Sequence, residues 1–94
     1  MSTVHVIVPH TKPVNQLHER VRAFDDRLKK IGISTQWSGD QGVIKHPGLK
    51  RDGSIALSPE RVEIKLELGF LLDKTIGRER LTQLITRELT EALA

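Results

Sequence analysis

Four histidines, two adjacent aspartates and one basic loop are the residues in this chain whose types lend themselves to chemistry. His5, His10, His18 and His46 could move protons near neutral pH or ligate a metal. No two of them stand four apart on one helix, and the HExxH zinc pattern is missing. A metal site built from His5, His10 and a distant carboxylate is conceivable; histidines at the rim of the fold are the plainer reading. Asp25 and Asp26 fall on the polar face of a helical pattern, where they suit ion pairs with Lys29 and Lys30 better than a proton-sharing dyad. There is no GxSxG nucleophile elbow. The seven glycines are scattered and form no phosphate-binding loop. With no cysteine, disulfides, thiolate metal sites and thiol nucleophiles are excluded. No catalytic residue, no metal and no cofactor is therefore expected, and an enzyme is the least favoured class.

Two clusters remain that could bind rather than react. Lys45, His46, Lys50 and Arg51 surround one loop and could meet an anion or a nucleic acid. The plainer reading is a solvated hairpin tip. Single-strand RNA-binding sheets display stacking aromatics, and here Trp37 is the lone strand aromatic before Gly69. Nucleic acid binding is thus disfavoured, and any such binding should be weak and non-specific. The second cluster is Phe70, Leu71 and Leu72, three apolar residues in a row after Gly69. Burial where the chain turns from sheet to helix is the favoured reading; an exposed apolar contact patch is the alternative.

The elements that position these residues are well marked. In VEIKLELGFLL, Val62, Ile64, Leu66 and Leu68 alternate with charged residues, as in a strand with one dry face. Gly69 then suggests a bulge or a close approach of backbones. Residues 3–8 form a first strand with Val4, Val6 and Val8 on one side. After Pro13, the residues Val14, Leu17, Val21, Phe24, Leu28 and Ile31 make a narrow helical stripe, and Gly32 suits a left-handed helix stop. The stripe also fits a heptad but is too short for a coiled coil, so packing onto a sheet is the expectation. Ile33, Thr35 and Trp37 mark a second strand, residues 43–46 a third and residues 54–57 a fourth, with 47–53 a loop. A second helix runs from about residue 75 to 93, weakened at Gly77, with Leu81, Leu84, Ile85, Leu89, Ala92 and Leu93 on its apolar face.

This order predicts an α+β fold: a two-layer sandwich whose antiparallel sheet of about five strands carries two helices on one face, in the order β-α-β-β-β-β-α. The 94 residues fit a single domain over residues 1–94. Its core should be aliphatic and should include Phe24, Leu28, Trp37, Ile64, Leu66, Ile85 and Leu89. Net charge is +3, with the basic excess in the first half. No signal peptide and no membrane span is apparent, so the expected location is cytoplasmic.

The strand ending in LGFLL, the preceding SIALS and the terminal amphipathic helix resemble the polyhydroxyalkanoic acid system family, small bacterial proteins associated with polyester storage granules. The likeness is clearest over residues 54–94 and looser over STVHV, the following helix and QWSGD. The segment HPGLKR, from His46 to Arg51, departs from it. The resemblance brings no catalytic residues. It implies a bacterial cytoplasm and a link to polyhydroxyalkanoate storage, with a granule or a granule protein as partner. The resulting expectation is a non-enzymatic accessory protein working through Phe70, Leu71 and Leu72, the face of the terminal helix, or the basic residues Lys45, Lys50 and Arg51. The mixed charge of that helix argues against attraction to anionic lipid. An apolar-ligand domain holding an acyl chain is the alternative, a weak nucleic-acid module the third. Pairing with a second copy stays open.

Overall fold

The computed structural model describes residues 2–30 and 32–93. The strand β1 (Ser2–Pro9) is followed by the helix α1 (Val14–Lys29), the strands β2 (Ser34–Ser38), β3 (Gln41–Lys45), β4 (Leu49–Leu57) and β5 (Arg61–Leu68), and the helices α2 (Phe70–Thr75) and α3 (Arg78–Leu93). The five strands form one antiparallel sheet in the order β1-β5-β4-β3-β2. β2 to β5 are a meander. β1 and β2 lie on opposite edges, so α1 must carry the chain across the full width of the sheet. The expected two-layer α+β sandwich is what forms, with a third, short helix added.

Alternation decides which face is dry. Register places Val4 opposite Leu66, Val6 opposite Ile64 and Val8 opposite Val62, and Ile64 opposite Ile55. These residues are all buried, and they form one cluster with Leu17, Val21, Phe24 and Leu28 of α1 and Leu81, Ile85, Leu89 and Leu93 of α3. Both long helices therefore cover the same face. The other face, with Thr3, His5, Lys65, Ser54, Val43 and Gln36, is open to solvent. Arg27 of α1 ties the helices together at their outer edge, reaching Glu88 at 2.8 Å and Glu91 at 3.2 Å. Ile31 and the side chain of Val14, expected in the α1 stripe, lie outside the described residues.

Three expectations about the elements need correction. The stretch 47–53 is not a loop, since β4 begins at Leu49. Its pairing with β5 shifts register between Leu49 and Arg51 and again between Arg51 and Ser54, which leaves Lys50, Arg51 and Asp52 exposed in succession and hides the period of two. Gly53 sits at the second shift and faces inward. A Cβ there would collide with Leu66 and stand 2.8 Å from the Lys65 carbonyl, so no larger residue fits. Finally, of the two readings of Gly69 the close backbone approach holds, against Gly48, and the bulge does not; and the terminal helix does not simply begin near residue 75. Gly69 precedes α2, and Gly77, at φ +86°, divides α2 from α3.

Gly32 closes α1 as its position predicts. Its φ is +85°, and the amides of Gly32 and Ile33 reach back to the carbonyls of Lys29 and Leu28 at 3.1 and 3.0 Å. That is the paired hydrogen-bond pattern of a helix ending on a left-handed glycine. Leu28 and Ile33 are both buried, which supplies the apolar contact that accompanies it.

Candidate interaction surface

Phe70 and Leu71 stand free of the core, 76% and 72% exposed, and no residue of α2 is buried. This corrects the expectation that the run would be buried. Successive helical residues point about 100° apart, so three in a row cannot share one face. Leu72 is the one turned inward, where it packs half-buried against the core cluster. Lys74, one turn on from Phe70, places its Nζ 5.3 Å from the centre of the Phe70 ring. An exposed contact of this kind is worth about 0.5–1 kcal/mol. Reading residues 70–75 as helix would have exposed the i, i+4 pairing of Phe70 with Lys74 in the sequence; the apolar run masked it.

The fold brings the basic residues to the same end of the sheet. Register sets Leu68 against both Ser2 and Leu49, and Lys45 against Ser34. The three residues between β3 and β4 turn tightly, with the Leu49 amide on the His46 carbonyl at 3.0 Å. That turn is locked to the start of α2. The Gly69 amide donates to the Gly48 carbonyl at 2.8 Å. A Cβ on Gly69 would lie 2.6 Å from that oxygen, and one on Gly48 would lie 3.1 Å from Cβ of Leu72. His46 stabilises the turn from within, its Nδ1 accepting from the Gly48 amide at 2.8 Å. Two segments that are separate in sequence, 45–51 and 69–74, thus become one surface.

Lys45 and Lys50 are exposed. Arg51 is exposed too, but its Nε lies 2.8 Å from a Glu67 carboxylate oxygen, so the pair adds no net charge. The face of the terminal helix, the other expected contact surface, is consumed by the core: Leu81, Ile85, Leu89 and Leu93 are buried and Leu84 and Ala92 pack partly against them.

The other three histidines make local contacts. His5 contacts Glu63 at 2.6 Å across the open face of the sheet, and that hydrogen bond holds the Glu63 carboxyl below its ordinary pKa. His10 spans the β5 approach, its Nε2 2.8 Å from the Ser58 carbonyl and its Nδ1 accepting from the Lys12 amide at 3.1 Å. His18 meets Asp40 at 3.1 Å. Among the described residues no three His, Asp or Glu side chains gather as a metal site.

Asp25 departs from the reading that put it on an exposed face. It is half-buried, and the Trp37 indole N–H donates to its Oδ2 at 2.6 Å. Its Oδ1 is buried without a hydrogen-bond partner. Burial raises the Asp25 pKa, and the hydrogen bonds from Trp37 and Thr35 oppose it. Trp37 accordingly packs on the margin of the core rather than inside it, which corrects its place among the expected core residues. The six others are buried.

The space between sheet and helices, where an acyl ligand would have to lie, is filled by Phe24, Leu17, Ile44, Ile64, Ile85 and Leu89, each fully buried. A groove of about 390 Å³ does run outside it between α1 and α3, lined by Arg27, Leu28, Lys30, Leu84, Glu88 and Glu91. No described helix is long and apolar enough to cross a membrane.

The described residues form an α+β sandwich with a filled core and an exposed apolar pair, Phe70 and Leu71, at the start of α2. The sequence profile of the family described as putative polyhydroxyalkanoic acid system proteins matches residues 4–93, and the chain belongs to that family. Neither the curated proteins nor the solved structures contain a match to it.

Proposed function

We propose that this protein is a non-enzymatic accessory of polyhydroxyalkanoate storage that works at the granule surface through the α2 tip. The observation that carries the reading is the exposure of Phe70 and Leu71 on a helix with no buried residue. Two large apolar side chains held in water are costly unless something covers them; burying each is worth about 1.5–3 kcal/mol. A polyester granule offers apolar polymer, and family membership supplies the link to that polymer. The filled core speaks against the acyl-carrier alternative, since a chain could enter only by displacing Phe24 and its neighbours.

Co-sedimentation with polyester granules tests this. The purified protein is mixed with native granules and with granules stripped of protein, beside a Phe70→Ser variant shown by circular dichroism to be folded. Binding to both preparations that the variant loses is the expected result. Binding to native granules alone would mean a protein partner. Binding to neither would end the granule reading.

A further inference from the structure

The two edges of the sheet differ in what they offer a partner. β2 is five residues long with none buried, and shortness is one way an edge strand is kept from pairing. β1 has eight residues, and β5 is its sole neighbour among the described strands. The phase of their pairing is fixed just past the end of β1. There the His10 amide donates to the Glu60 carbonyl at 3.0 Å, one step beyond the pair Pro9–Arg61. Antiparallel partners alternate between bonded and unbonded pairs, so Val4, Val6 and Val8 bond to β5. Thr3, His5 and Ile7 therefore turn their N–H and C=O groups outward. The Ser58 amide on the Arg61 carbonyl, at 3.0 Å, gives the same phase from the β4 side. Pro9, with no N–H to offer, falls at the next outward position, where an edge strand tolerates it.

Apart from that proline, little guards the β1 edge. The strand carries no Lys, Arg, Asp or Glu, the residues that commonly blunt an edge. The nearest charged row, on β5, is Arg61, Glu63, Lys65 and Glu67, which alternates in sign and sums to zero. α3 packs on β1. Its flank toward α1 holds Leu84, Glu88 and Glu91, which line the groove between the helices. The opposite flank, on the side beyond β1, carries Thr82, Thr86 and Thr90 at every fourth position. A second molecule approaching this edge thus meets no like charge on the strand, a balanced row behind it, and uncharged threonines above it.

We propose that two copies of this chain join edge to edge through β1, antiparallel about a two-fold axis at His5, so that one sheet runs through both. Thr3 then faces Ile7 of the second copy and His5 faces its counterpart, and the outward N–H and C=O groups of all three residues find partners. On the helix side Val4 comes opposite Val6 of the second copy, so the dry face stays continuous. A second copy is the occupant because its edge has the same outward groups at the same spacing. An uncharged strand also gives a charged peptide nothing to pair with, whereas it meets itself without repulsion. This holds whether or not the α2 tip contacts granules.

Sedimentation equilibrium of the full chain should give the mass of two chains, falling to one on dilution. Ile7→Pro deletes an outward N–H and leaves the bonds to β5, as Pro9 does two positions on. It removes two hydrogen bonds across the axis and should weaken association roughly thirtyfold, with circular dichroism to show that it folds. A disulfide reads the register without relying on that variant. The chain has no cysteine, so His5→Cys can bridge only to the same residue of a second copy. Directly opposed bonded residues lie about 5.5 Å apart at Cα, within the span of a disulfide. His5→Cys should cross-link under mild oxidation, and Gln36→Cys on β2 should not. A chain that stays monomeric at every concentration would overturn the proposal. So would a dimer that a folded Ile7→Pro leaves intact, or one that Gln36→Cys cross-links and His5→Cys does not.

Discussion

At the scale of single residues, Asp25 carries the clearest electrostatic consequence. A carboxyl whose folded pKa is raised holds its proton while the unfolded chain has already ionised. Below the ordinary carboxylate range both states are neutral and the burial costs nothing. As pH rises through the window from the unfolded to the folded pKa, stability falls, and the loss is complete above the folded value. Replacing Asp25 with asparagine keeps an acceptor for Trp37 and removes this titration. The Asp25→Asn variant should be at least as stable as the native chain at neutral pH, with the difference shrinking on acidification; thermal unfolding across the acid range reads it out. Asp25→Ala instead strands the Trp37 N–H and should cost about 1–3 kcal/mol at neutral pH. Glu63 has the opposite sign, its His5 contact being lost as pH falls through its lowered pKa, but it is too solvated to matter much for stability. Phe70→Ser should cost no more than about 1 kcal/mol in urea unfolding, the worth of the lost contact with Lys74, because the ring is mostly exposed. The sequence showed Asp25 as one more charge on a helix face; the tertiary contact with a tryptophan twelve residues on has no local signature.

Elements were legible where their period ran unbroken. The strand from Val62, the Leu17–Leu28 stripe and the Gly32 stop were all plain, because one face of each is dry and the other wet. They failed at β4 and α2, where shifted pairing and a short apolar helix break the period. The β3–β4 turn and α2 depend on each other through Gly48 and Gly69. Gly69 has an ordinary φ of −76°, so its requirement is space alone. Gly69→Ala should push the backbones apart and cost about 1–3 kcal/mol, the usual penalty for overpacking. It should also loosen the tip, measurable as faster amide exchange in residues 46–49 and 70–75. If exchange there is unchanged, the two segments are not coupled. The candidate surface was half visible for the same reason: its residues could be named separately, but only the pairing of Leu49 with Leu68 makes them neighbours.

For the whole molecule, the aliphatic core was the most legible feature, since it needs only the count of dry faces. Leu66 lies at its centre, 2% exposed. Leu66→Ala should cost about 2–5 kcal/mol in urea unfolding. A loss of about 0.5 kcal/mol would be that of a surface site. The edge positions of β1 and β2 bear on how the chain reaches this state. β2 to β5 need only adjacent hairpins, whereas β1 must wait for β5, more than fifty residues downstream, before it has a partner. Pairing across such a span closes a long loop, which is slow and late. The meander should thus organise first and β1 dock last. Destabilising changes in the β3–β4 hairpin should slow refolding, while Val6→Ala in β1 should mainly speed unfolding. Until β1 arrives, the edge of β5 is bare, with Ile64 and Leu66 uncovered on one side. A chain slowed at that step would pair that edge with another copy of itself.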